Sequence, residues 1–189
     1  MNPALFLDRD GVIIENRSNY VRTWSDVYIY TQAIEALVKL KPTGYKTVII
    51  TNQSAVGRGF ISPKVAQEIN LRLVEEIHSA GGRIDGVFMC PHAPHDECAC
   101  RKPQPGLILE AADSLSLDLS RSILVGDALS DIMAGQSAGV GKNVLVRTGR
   151  GNEQSDITLA NKIPPFLIYD TLADALSELI FLPGDQSGT

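Results

Sequence analysis

RSILVGDALSDIMAGQSAGVGKNVLV, residues 121–146, holds a complete strand–helix–strand unit. Ser122 to Val125 is a short apolar run broken by Gly126, Asp131 to Ala138 has helical period, and around Asn143 to Val146 the chain is apolar again. The same grammar extends toward the N-terminus. Apolar runs at Ala4–Leu7, Lys46–Thr51 and Ile84–Met89 alternate with helical patterns at 31–40, 106–115 and from the Ser62-Pro63 cap to Gly81. A weaker strand, FLIYD, ends at Asp170 and precedes a helical stretch from Leu172 to Ile180. Strands that are nearly continuously apolar must be covered on both faces, so the pattern predicts an α/β fold: a three-layer, Rossmann-like parallel sheet with helices on both sides. In the helix TQAIEALVKL the buried stripe is expected to include Ile34, Leu37, Val38 and Lys41.

The 189 residues suffice for one domain of ordinary size, here expected over residues 1–182 with 183–189 as a loose tail. Hydrophobic residues make up 44% and charged residues 21%, the balance of a globular chain. The net charge of −5 comes without any run of Lys and Arg, which excludes a duplex-binding footprint; no nucleic-acid partner is expected. The start MNPALFLDRDG lacks a signal-peptide pattern, and no segment reaches the roughly 18–20 apolar residues of a membrane span. The expected location is the cytoplasm, with no membrane partner. A monomer is expected, because no long heptad or unexplained apolar stripe occurs.

In parallel sheets ligands sit beyond the carboxyl ends of the strands. Those ends carry Asp8, Thr51 and Asp127. Asp10 follows Asp8 by two, and Gly11 supplies the freedom for a turn that brings both carboxylates to one centre. Asp131 follows Asp127 by four, across a helix start. Carboxylates gathered at one edge repel, and a hard cation such as Mg2+ resolves that with oxygen ligands. Arg101 and Lys102 offer the opposite charge: Lys as a point charge for a phosphoryl group, Arg as a planar fork. Thr51 and Asn52 can donate to a phosphate, or serve only as caps.

All three cysteines and two of the three histidines lie in CPHAPHDECAC, residues 90–100. Cys90, His92, Cys98 and Cys100 follow the spacing C-x-H-x5-C-x-C, which meets the demands of tetrahedral Zn2+. A disulfide would leave a thiol over, and a catalytic thiol would need an organised base.

Four stretches in order, FLDRDGVI, ITNQSAVGRG, CACRKPQPG and VGDALSD, resemble the haloacid dehalogenase superfamily of Mg2+ phosphatases, in particular its heptose-bisphosphate and histidinol-phosphate phosphatases. NYVRTW and VRTGRG extend the likeness, which spans roughly residues 4–150. The resemblance implies that Asp8 attacks phosphorus, that Asp10 is the general acid and base, and that Asp8, the Asp10 carbonyl and Asp127 hold Mg2+ with Asp131 in support. Thr51, Asn52 and Lys102 are implied to hold the phosphoryl oxygens and Arg101 to contact substrate. It also favours structural Zn2+ at the cysteine loop, leaving His95 unused. Ala128 departs from the Lys usual in the heptose enzymes, which bears on substrate preference more than on phosphatase chemistry.

The intervals between the motifs leave no room for a large cap domain, so the lids are expected to be loops. Residues 15–27 form the candidate flap, with Tyr20, Arg22 and Trp24 shaping the mouth. The resulting expectation is a phosphomonoesterase for a small phosphorylated sugar, releasing the C1 phosphate of a heptose 1,7-bisphosphate. Histidinol phosphate is the rival substrate, and a non-catalytic zinc-stabilised binding module the rival class.

Overall fold

The computed structural model describes residues 1–155 and 162–181. The expected tail, 183–189, lies outside the described residues. Six strands form one sheet: β1 (Asn2–Leu7), β2 (Lys46–Asn52), β3 (Gly86–Cys90), β4 (Leu117–Gly126), β5 (Lys142–Val146) and β6 (Leu167–Tyr169). Their order is β3-β2-β1-β4-β5-β6, and every neighbouring pair is parallel. The chain runs outward from β1 to β3, then crosses back to β4 and runs outward the other way. The crevice of such a sheet opens where that direction switches, between the carboxyl ends of β1 and β4.

Successive residues of a strand point to opposite faces, and β1 shows the consequence. Leu5 and Leu7 join a core with α1 (Thr31–Leu40), α3 (Pro63–Ser79) and α7 (Leu172–Leu176). Ala4 and Phe6 join a second core with α4 (Gly106–Leu115) and α5 (Leu129–Ala138). The three expected layers are therefore present. Each fully buried Leu or Ile contributes roughly 1.5–3 kcal/mol, so the sheet is held from both sides. Two short helices, α2 (Ser54–Gly57) and α6 (Gly151–Ser155), complete the described elements along with single 3-10 turns at Trp24–Asp26 and Pro94–Asp96. Among the described residues, the segments from β1 to α1 and from β3 to α4 carry only loops and such turns, and no helix is long and apolar enough to cross a membrane.

Three details differ from the sequence reading. The buried stripe of α1 is Ala33, Ala36, Leu37 and Leu40; Ile34 and Val38 flank it half-buried, and Lys41 lies outside the helix. Strand β4 begins five residues earlier than Ser122, because Leu117 and Asp118 pair with Asn2 and Pro3 before a register shift. The last helix changes at Ser177 to a wider turn running to Phe181. The Ser62 cap is as expected, its hydroxyl accepting from the Val65 amide at 3.2 Å with Pro63 at the first turn.

Candidate active site

Asp8 leaves β1 with its amide still donating to the Val125 carbonyl of β4 at 3.0 Å, so the two strand ends stay side by side. Gly11 then turns the chain at φ +88°, and a Cβ there would collide with the Asp127 carboxylate. Asp8, Asp127 and Asp131 are all buried, and their carboxylate oxygens gather within 4.8 Å of one another. Lys102, 3% exposed, enters this cluster from the loop before α4. Its Nζ donates to Asp8 Oδ1 at 2.8 Å and the Ile50 carbonyl at 2.9 Å, and pairs with Asp131 Oδ1 at 2.7 Å. The other Asp131 oxygen accepts the Ala128 amide at 3.0 Å and so caps α5. Asp131 is thereby tied to Lys102 and to a helix start.

Burial pushes the Asp8 carboxyl up to about 7; Lys102 opposes the rise, while Asp131, Asp127 and Asp10 add to it. Asp127 is raised by burial and by Asp131, against the pull of Arg150. Burial disfavours the Lys102 ammonium, but Asp131 and Asp8 outweigh it and raise its pKa, so the cation is permanent. One lysine does not neutralise this many buried carboxylates, and the cluster has the character of a cation site.

Asp10 is held by a residue the sequence reading passed over. Arg9, 1% exposed, forks onto Asp10 through Nε to Oδ2 at 3.0 Å and Nη2 to Oδ1 at 3.1 Å. The same guanidinium donates to Gln53 Oε1 at 3.0 Å and Asn70 Oδ1 at 2.7 Å. Gln53 in turn donates from Nε2 to Asp10 Oδ2 at 3.1 Å and to Thr51 Oγ1 at 2.8 Å. Asp10 is thus fixed by strands β1 and β2 and helix α3 together, with its carboxylate still reaching the cavity. Asn70 is the polar residue on the buried stripe of α3, which was the available signal for such a network.

A second missed residue is Arg150, from the turn between β5 and α6. Its backbone amide donates to Asp127 Oδ2 at 2.9 Å and its Nη2 to Oδ1 at 3.2 Å. Ala128 is buried and uncharged, so the cation beside Asp127 comes from Arg150.

Asp8, Asp10, Gln53, Lys102, Asp131 and Arg150 line a cavity of about 1040 Å3 that also includes Arg17, Tyr20 and Arg101. That volume exceeds what a lone phosphate needs and accommodates a phosphorylated sugar. Arg101 is aimed by Ser54 Oγ at 2.8 Å and by the His92 carbonyl at 3.2 Å. Asn52 lines the cavity, but both ends of its amide clasp the Lys102 backbone at 3.1 Å, so its side chain acts chiefly by placing Lys102. Arg22 is outside the cavity wall: its guanidinium lies over the Phe60 ring at 4.4 Å. Thr51 is fully buried behind the wall.

Cys90, His92, Cys98 and Cys100 converge as the sequence spacing predicts. The Sγ atoms stand 2.9, 3.4 and 3.6 Å apart, and His92 Nδ1 lies 3.3 and 3.5 Å from Cys100 and Cys90. The cysteines are free and the donor atoms all lie within 4.8 Å, an arrangement able to hold a metal ion. Burial opposes thiolate formation at Cys98, but hydrogen bonds from Cys100 and from the Arg101 backbone hold its pKa down to about 7.

Residues 99–175 match the family Hydrolase_like, described as HAD-hyrolase-like. The D-glycero-beta-D-manno-heptose-1,7-bisphosphate 7-phosphatase of Vibrio cholerae serotype O1 is 39% identical over 179 residues, 91% of this chain and 93% of the relative. That of Photorhabdus laumondii is 37% identical, over 91% and 92%. The crystal structure of D,D-heptose 1,7-bisphosphate phosphatase from B. bronchiseptica, complexed with magnesium and phosphate, superposes with a TM-score of 0.86 at 31% identity, covering 95% of this chain and 98% of that one. The relatives' names correct the expected regiochemistry: they are 7-phosphatases, not enzymes that release the C1 phosphate. The motifs bear on the phosphoryl group alone, so they carry no information on which end of the sugar it sits. The motif set, its convergence at one sheet edge and these full-length likenesses place the chain in the haloacid dehalogenase superfamily, as a phosphoric monoester hydrolase closely resembling the D-glycero-D-manno-heptose 1,7-bisphosphate phosphatases.

Proposed function

We propose that this chain, folded as one phosphatase domain over residues 1–182, removes the C7 phosphate of D-glycero-beta-D-manno-heptose 1,7-bisphosphate. The observation that carries the proposal is Asp8 at the floor of a polar cavity, paired with Lys102 at 2.8 Å, in a chain whose full-length relatives are 7-phosphatases. Asp8 attacks phosphorus, and the bond from phosphorus to the C7 oxygen breaks. Asp10, partly exposed where Asp8 is buried, passes a proton to that oxygen, a step worth about 10²–10⁴-fold. Water then attacks the aspartyl-phosphate; Asp10 takes its proton, and the bond to Asp8 breaks to release phosphate. Lys102 offsets charge on the phosphoryl oxygens, Thr51 from behind the wall holds Gln53 against Asp10, and Arg101 meets the substrate at the mouth.

The buried carboxylates fit a hard divalent cation, since burial raises Asp8, Asp131, Asp127 and Asp10 add to the rise, and the oxygens of Asp8, Asp127 and Asp131 lie within 4.8 Å of one another. Asp8, Asp127 and the Asp10 carbonyl would hold Mg2+, which supplies the positive charge that lets the anionic phosphate approach an anionic nucleophile. At the cysteine loop, thiol separations of 2.9, 3.4 and 3.6 Å lie inside the edge of about 3.8 Å expected for Zn–S bonds of about 2.3 Å, so a small outward shift of the thiols admits the ion. Four protein donors complete that tetrahedron, so Zn2+ there is structural: it sets the path of the loop that carries Arg101 and Lys102.

The test is 31P NMR of the product, with heptose bisphosphate and histidinol phosphate compared by kcat/KM. Heptose 1-phosphate as the product supports the proposal; heptose 7-phosphate, or a preference for histidinol phosphate, overturns it.

A further inference from the structure

Phe60 is an aromatic side chain with no core to explain it. Its amide donates to the Ala55 carbonyl at 2.8 Å, and that of Ile61 shares the same acceptor at 3.3 Å, while Gly59 turns at φ +74°. The backbone is therefore fixed, yet the ring is 47% exposed. Its close aromatic and cationic partners both come from the loop after β1: the Tyr20 ring at 5.6 Å between centroids and the Arg22 guanidinium at 4.4 Å.

That loop is closed at its base by Glu15 N to Tyr28 O at 2.8 Å and Tyr30 N to Ile13 O at 3.0 Å. Val21 anchors it in the core, and Trp24 lies under Arg72 of α3 at 4.6 Å. Tyr20, on the cavity wall, sits at φ +63°, a left-handed conformation that a bulky residue keeps only when its surroundings impose it. The Tyr20 amide donates to the Arg17 carbonyl at 3.1 Å, which shapes the turn, and the tilted packing of its ring on Phe60 is the aromatic contact that holds the side chain, with Arg22 over the same Phe60 ring closing the clasp.

We propose that Phe60 is a positioning residue for the substrate: it joins the loop after β1 to the segment after β2 and so holds Tyr20 at the mouth of the cavity. The proposal rests on the reading of this cavity as a sugar-phosphate site. Phosphoryl transfer at Asp8 does not need the clasp; recognition of the part of the substrate that extends to the mouth does.

The chain's single tryptophan, Trp24, lies on the same loop and gives a readout that needs no substrate. Phe60→Ala and Phe60→Leu are expected to increase acrylamide quenching of Trp24 and to raise KM for heptose bisphosphate about tenfold, with kcat held within about twofold. Hydrolysis of p-nitrophenyl phosphate, which does not extend to the mouth, is expected to stay unchanged, and Phe60→Tyr to restore both readouts. Unchanged Trp24 quenching in Phe60→Ala overturns the clasp. Increased quenching with unchanged KM, or an equal loss on both substrates, overturns its role in positioning substrate. If the parent enzyme does not turn over heptose bisphosphate, the functional reading falls; KM is then taken on the best phosphomonoester found, and quenching still decides the clasp.

Discussion

Replacing Asp8, the proposed nucleophile, is expected to stabilise the protein when no Mg2+ is bound, and the sign follows from its burial beside other carboxylates. Its folded pKa is pushed up to about 7 from an ordinary 3.8. A carboxyl raised on folding makes its contribution below the unfolded pKa and loses it as pH climbs through the folded pKa, here between about 4 and 7. Above pH 7 the folded chain must hold a charge its surroundings disfavour. Asp8→Asn removes that charge and keeps the shape, so in Mg2+-free buffer at pH 8 it should gain roughly 2–4 kcal/mol. At about 2–4 °C per kcal/mol for a chain of this length, Tm rises by roughly 5–15 °C. At pH 5 the folded parent Asp8 is already protonated and only the unfolded chain ionises it, so the gain should shrink to about a third of its value at pH 8. Differential scanning calorimetry at both pH values, without chelator so that any metal at the cysteine cluster is left in place, is the assay. A lower Tm for Asp8→Asn at pH 8, or the same gain at pH 5 and pH 8, refutes the reasoning.

Arg9→Met should lower Tm by about 6–12 °C, because it leaves Asp10, Gln53 and Asn70 without their buried donor, and lower kcat more than it changes KM. Arg9→Lys should not rescue it, since an ammonium lacks the fork; thermal melts and steady-state kinetics check both. Cys98→Ser is expected to reduce the zinc-to-protein ratio by elemental analysis and to lower kcat/KM roughly tenfold, because Arg101 loses its anchor on the His92 carbonyl. Arg150→Met should tighten Mg2+ binding about fivefold or more in calorimetric titration without substrate, as its guanidinium competes for Asp127; unchanged affinity would show that the two cations do not compete.

What the sequence made legible has a common physical basis. Parallel strands buried on both faces read as continuous apolar runs, which is why β1, β2, β3 and β5 stand out. The first half of β4, LDLSR, alternates leucines with polar residues and is mostly only partly buried or exposed, so only Ser122 onward carried the signal of a continuous apolar run. In α1 the inward stripe includes two alanines, whose small side chains weigh little against Ile34 and Val38 in any periodicity reading.

The acids were legible because they terminate strands. Arg9 was not, since its partners Gln53 and Asn70 lie 44 and 61 residues away and only the folded α3 brings them close. Arg150 escaped for the same reason, 23 residues from Asp127. Arg22 misled because an arginine on a mouth loop reads as a substrate ligand, whereas its guanidinium is spent on Phe60. The C7 regiochemistry named for the relatives was beyond the motifs altogether, since these concern the phosphoryl group and not the rest of the sugar.

The central claim is that Asp8 carries the phosphoryl group. Acid-quenching the enzyme during turnover of heptose bisphosphate, followed by mass spectrometry of the peptide containing Asp8, tests it most directly. The account predicts one phosphoryl group on Asp8, absent from Asp8→Asn. Turnover with no phosphopeptide at any quench time, or substantial activity in Asp8→Asn, would contradict it.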